Sequence, residues 1–183
     1  MTSLALLLLR VVTGTPLVGH GGQKLFGAFG GRGLEGTATY FEGLGIRPGR
    51  EWAYIAGATE TTGGVLIALG LMSPIGPIIA SAPMVIAWRK AHKGKPIFVN
   101  LGGAELLLTN LTIAAALALT GPGRVSLDAL LGIRTPWWMS LLVLVATAAG
   151  VAVATPDEIR EAAQAIRRQE LAVETAEELP AAR

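Results

Sequence analysis

Residues 52–91 read WAYIAGATETTGGVLIALGLMSPIGPIIASAPMVIAWRKA, two apolar runs separated only by Ser73-Pro74. A helix that crosses a bilayer needs about 20 mostly apolar residues. The run from Trp52 to Met72 meets that length, and the run from Ile75 to about Ala91 falls slightly short. A break of only Ser-Pro between two helices predicts a tight antiparallel hairpin. Glu60 lies inside the first run and shares a helical face with Gly57, Gly63 and Gly64. Small residues beside a carboxylate let a neighbouring helix approach closely. The segment therefore predicts packed membrane helices.

Three further apolar windows flank this hairpin: Ser3 to about Gly22, Phe98 to Leu119, and Pro136 to Ala154. The composition agrees, with 51% hydrophobic and 15% charged residues in 183. A soluble domain carries about 25% charged residues. The run from Leu4 to Val18 is not read as a signal peptide. No basic stretch precedes it, Arg10 interrupts it, and no small-residue cleavage site follows. Thr135-Pro136 reads as N-cap and first turn of the last span. Trp52, Tyr54, Trp137 and Trp138 read as anchors at the water interface.

A net charge of +2 without a basic face excludes nucleic acid as a partner. The chain has no cysteine, which removes disulfides, thiol redox chemistry and thiolate-held metals. His20 and His92 are its two histidines, so no histidine-rich metal site is expected. With five spans, Lys24, Arg32, Arg47, Arg50, Arg89, Lys90, Lys93, Lys95 and the tail arginines share one side, and Arg124 and Arg134 the other. The positive-inside rule then puts the N-terminus outside and the C-terminus in the cytoplasm.

Residues 23–51 are rich in glycine, and GRGLEG at 31–36 matches G-x-G-x-x-G. A dinucleotide site needs a strand before such glycines. Here a membrane helix precedes them, so the segment reads as a flexible lid that folds back on the bundle. After the last span, Thr155-Pro156-Asp157-Glu158 forms a capping box. It predicts an amphipathic surface helix from Pro156 to about Glu174 within a charged tail, 155–183.

The ionisable residues inside the spans carry the functional signal, because an unpaired charge at mid-membrane costs several kcal/mol, about 2.5–3.5 on insertion scales. They are Arg10, Glu60 and Glu105. Helical spacing puts Arg10, Thr13, Leu17, His20 and Lys24 on one stripe, with Pro16 a candidate kink and Gly21-Gly22 a candidate end. Gly102, Glu105, Thr109, Thr112 and Ala116 form another, expected to face inward. At about 1.5 Å per residue, Glu105 lies roughly 10 Å, Glu60 roughly 12 Å and Arg10 roughly 18 Å below the rim marked by His20 and Lys24. Arg10 is expected to reach Glu60. The cluster Arg10, His20, Lys24, Glu60, Glu105 and Thr109 reads either as an ion-paired network fixing helix register or as a polar ligand pocket under the lid.

Several of these motifs resemble the DoxX family. Arg10 with Gly14, then His20-Gly21 and the run 24–27, KLFG, resemble the start of its members. Glu60 followed by Gly63-Gly64 and Gly70, then Glu105 and the run 121–128, GPGRVSLD, extend the likeness over about residues 4–131. The resemblance implies a four-helix membrane core, 1–131, to which this chain adds a fifth apolar helix, 136–154, and the tail. It also implies redox biology. Relatives include subunits of a thiosulfate:quinone oxidoreductase, and one actinobacterial member is the membrane part of a complex with a superoxide dismutase and a sulfurtransferase. An accessory subunit of a plasma-membrane oxidoreductase system is the expected role, with soluble oxidoreductase partners. A quinone-binding subunit and a small-anion or lipid carrier are the alternatives. No cofactor is evident in the sequence itself. Without cysteine, any redox role needs a quinone in the bundle or a docked partner.

Overall fold

The computed structural model describes residues 2–156, 163, 164, 166–169, 171 and 173, which are helices and connecting turns with no strand. Helix α1, Thr2–Phe26, runs on through Pro16 and Gly21-Gly22, so neither glycine ends it. Its buried residues Arg10, Thr13, Gly14, Leu17 and Gly21 form the stripe that the 3.6-residue period predicts.

The glycine-rich segment corrects its reading as a loop, because it contains helix α2, Gly33–Gly43. Gly33 opens it in a left-handed conformation, at φ 66°. Thr37 and Ala38 are buried where α2 packs on the next helix. The apolar members divide: Phe26 and Phe29 point outward, at 80% and 85% exposure, rather than folding back. The Arg32 guanidinium lies over the Tyr40 ring, 4.7 Å from its centroid.

Helix α3, Gly49–Leu69, stands at the centre, with α1 on one side and α4, Ile75–Ala87, on another. The α1–α3 seam is reciprocal. A Cβ built on Gly14 would meet the Gly64 carbonyl at 2.5 Å, and one on Gly64 would meet the Gly14 carbonyl at 2.6 Å. Gly21 and Gly57 repeat the contact two turns on, in the antiparallel sense. Gly63 faces Gly76 and Ala80 of α4 in the same manner. Gly70 ends α3 at φ 62°, and the Ser73–Pro74 peptide, which is cis, leads into α4, giving the expected hairpin.

After α4 a π-helical turn, Trp88–His92, leads into the third connection. Helix α5 is Glu105–Thr120, seven residues shorter at its start than the apolar window from Phe98. The backbone folds on itself first: the Gly103 and Glu105 amides donate to the Phe98 and Ile97 carbonyls, each at 2.9 Å. A short helix α6, Leu127–Leu131, follows, and Ser126 caps it by accepting from the Ala129 amide. Helix α7 is Trp137–Ala154. Pro136 precedes it in extended backbone, so Thr135 does not cap it, and the Thr135 hydroxyl is buried with no partner among the described residues.

Leu17, Ile67, Ala80, Met84 and Leu117 make the core between α1, α3, α4 and α5. Small residues fill much of the remaining interior, among them Ala53, Ala56 and the seam glycines, while Leu8, Val12, Leu142 and Val145 lie outside. That distribution suits a bundle solvated by lipid, where close backbone approach, not apolar burial, holds helices together. Among the described residues two helices, α1 and α7, are long and apolar enough to cross a membrane. Of the other expected spans, that in α3 carries Glu60, α4 gives way to the π turn, and α5 has 16 residues. Most of the expected tail helix lies outside the described residues. Those described within it, including Ile166, Leu171 and Val173, are helical and exposed.

Candidate functional site

The structure brings two of the six candidate residues together. Lys24, in the last turn of α1, places Nζ 2.5 Å from Oε2 of Glu60 in the middle of α3. The Glu60 side chain is 9% exposed and that of Lys24 24%, so the pair is buried but reachable from the first connection. Continuity of α1 through Gly21-Gly22 puts Lys24 there. The Gly21–Gly57 contact sets the spacing, and the Thr61 hydroxyl turns back to the Gly57 carbonyl at 2.8 Å.

Arg10 does not reach Glu60, which corrects the expected pairing. Its guanidinium packs against Gly70, ten residues from Glu60 along α3 and so about 15 Å away along the axis. There Nη2 donates to the Val125 carbonyl, and the nearby charge is that of Asp128. Arg10 is 2% exposed, and its Nε and Nη1 have no partner among the described residues. The Asp128 carboxylate is already engaged: it accepts from the Met72 and Ser73 amides at 2.7 and 2.9 Å. The Asp128 amide donates to the Gly70 carbonyl at 3.1 Å. Asp128 thus holds the turn between α3 and α4, with Arg10 beneath it. Asp128 enters the sequence reading only within the run 121–128. A lone acid within the apolar run 127–131, LDALL, was the signal for its structural part.

The other candidates lie apart from this pair. His20 is exposed, with Nδ1 3.0 Å from Oε1 of Gln23. Glu105 is exposed at the first residue of α5, and its Oε2 accepts from the Val99 amide at 3.0 Å. The Thr109 hydroxyl donates to the Glu105 carbonyl at 2.9 Å. Glu105, Thr109, Thr112 and Ala116 are all exposed, so this stripe faces outward, contrary to expectation. The late start of α5 and the packing of Ala114 and Leu117 inward set that rotation. Outside the spans, the exposed Arg50 bonds Glu35 of α2 at 2.8 Å. That hydrogen bond, with the Glu35 charge, raises the Arg50 pKa above its ordinary value.

A cleft of about 520 Å³ opens between α4, α5 and α7. Its walls are apolar apart from Ser81, Thr147 and Arg89, whose Nη1 donates to Thr155 Oγ1 at 3.0 Å. No candidate residue from the sequence lies on it.

Residues 5–93 match the family model described as DoxX. The chain is also similar to the Bacillus subtilis (strain 168) protein named "Putative oxidoreductase CatD", with 33% identity over 122 residues. The match covers 67% of this chain and 83% of that protein. No solved structure matches the chain.

Proposed function

The chain belongs to the DoxX family, and on that premise we propose that it is an accessory subunit of a membrane-associated oxidoreductase system. The observation that carries this reading is the oxidoreductase name of a relative whose length the chain largely covers, set beside a sequence without cysteine. Such a chain has no thiol to pass electrons, so a partner supplies the redox centre. The membrane core supplies a fixed platform. In this reading α1, α3, α4 with its π turn, α5 and α7 each cross the plasma membrane, with the N-terminus outside. The apolar exterior, the small-residue interior and the distribution of basic residues support that arrangement.

A second reading is favoured by the Lys24–Glu60 pair. A quinone head group needs a hydrogen-bond donor at one carbonyl and a group that moves a proton nearby. An ammonium and a carboxylate in contact, reachable from one end of α1, supply both.

Mild-detergent purification of tagged protein, followed by mass spectrometry of proteins and extracted lipids, tests both readings. A soluble oxidoreductase at near-equal stoichiometry is the expected result. Its absence from cells grown under several redox conditions defeats the accessory reading. Bound quinone that is lost in Glu60→Gln supports the second reading, and purification free of quinone defeats it. Because the chain has no cysteine, single substitutions Glu42→Cys, Lys95→Cys and Arg124→Cys test topology directly. The first two should label from the cytoplasmic side and the third from outside.

A further inference from the structure

We propose that the cleft between α4, α5 and α7 holds one acyl chain of an anionic phospholipid, with its phosphate at Arg89. Both α5 and α7 pack on α4 and leave the cleft between them. Alanines at 82, 114, 118, 148 and 152 give the walls their width. The cleft follows α4 and the start of the π turn from Pro77 to Arg89, twelve residues and therefore about 18 Å. The hydrocarbon core of a bilayer is about 30 Å thick, so this length matches one leaflet. That favours the chain of a phospholipid in the leaflet on the Arg89 side over a tail that spans the membrane.

The charge lies at the end where a head group would sit. Arg89 is fixed across the mouth by Thr155, which is fully buried and in turn donates to the Val151 carbonyl at 2.8 Å. Thr155 uses one of the five guanidinium donors, and a fork of this kind suits phosphate oxygens. Arg89 begins the run 89–95, RKAHKGK. Basic residues at a membrane surface attract anionic lipids, and Arg89 sits at one end of this apolar slot.

The proposal rests on the multi-pass arrangement, which the cysteine-labelling pattern tests separately. The lipid test uses the full chain reconstituted in nanodiscs of phosphatidylcholine with one-tenth phosphatidylglycerol, followed by native mass spectrometry after release. Retained phosphatidylglycerol should exceed its bulk share in the wild type. Arg89→Gln should bring retention down toward the bulk share, as expected when affinity falls about tenfold or more on losing a charge-assisted hydrogen bond. Ala148→Phe, at an exposed position on the cleft wall, should block the chain and lower retention without lowering the unfolding temperature. Unchanged phosphatidylglycerol in both variants overturns the proposal. So does preferential retention of phosphatidylcholine, or the recovery of quinone in place of phospholipid from protein purified from cells.

Discussion

Adding one methyl group to the α1–α3 seam should destabilise the bundle, and Gly64→Ala is a direct case. The new Cβ would lie 2.6 Å from the Gly14 carbonyl oxygen, 2.8 Å from the Val18 amide nitrogen and 3.0 Å from the Leu17 Cβ. A comfortable carbon–oxygen contact is about 3.3–3.6 Å, so the helices must part by roughly 0.7–1 Å. The atoms it would meet are backbone and a Cβ, which cannot swing aside as a long side chain would. A gap of about 0.5–1 Å forfeits a quarter to a half of the dispersion energy at each contact. Overpacking of this size costs about 1–3 kcal/mol, against a helix-propensity gain of about 1 kcal/mol for Ala over Gly. The net loss should be up to about 2 kcal/mol, or up to roughly 8 °C in unfolding temperature for a chain of this size. Tryptophan fluorescence of detergent-purified protein on heating reads it. Gly150→Ala on α7, where a Cβ meets nothing within 4 Å, is the matched control and should equal or exceed the wild type. Gly14→Ala should behave like Gly64→Ala, and the double variant should lose less than the sum, because the first methyl has already parted the helices. If Gly64→Ala unfolds no lower than the wild type, close backbone approach is not what holds these helices.

Three more outcomes follow from the charged groups. Glu60→Ala should strand Lys24, not Arg10, and cost about 2 kcal/mol, whereas Lys24→Met with Glu60→Met should recover much of that loss; equal unfolding temperatures for the single and double variants would contradict it. Asp128→Asn should remove an acceptor from the Met72 or Ser73 amide, cost about 1–3 kcal/mol, and speed hydrogen exchange at those two positions. Arg50→Ala should leave the unfolding temperature unchanged, because the Arg50–Glu35 bond is open to water.

Local patterns were legible and long-range partners were not. The hairpin at Ser73-Pro74, the buried face of α1 from Arg10 to Leu17 and the glycine face of α3 follow from spacing alone, since a helix face depends on the 3.6-residue period. Arg10 was recognised as buried, yet its neighbours Val125 and Asp128 come from a segment that no period links to it. Lys24 stays within α1 because the helix runs on through Gly21-Gly22, where the sequence suggests an end. Packing against Gly57 and Thr61 outweighs the propensity cost of those glycines. The same balance hid α2, in which Thr37 and Ala38 dock on α3 despite glycines at 33, 36 and 43. The outward turn of Glu105 depends on where α5 begins. The hydrogen bonds of residues 97–105 set that start, and hydropathy does not register them.

The contact between Arg10 and Val125 spans 115 residues of sequence. It therefore gives assembly of the bundle an order in time. A ribosome adds roughly 5–20 residues per second, so about 6–23 s separate the synthesis of the cation from that of its acceptor. In the multi-pass arrangement α1 enters the bilayer first, with its guanidinium awaiting a segment not yet made. The same late segment brings Asp128 to the turn between α3 and α4. A nascent chain halted before residue 125 would carry both an unsettled first helix and an unclasped hairpin, the state that membrane quality control is equipped to find.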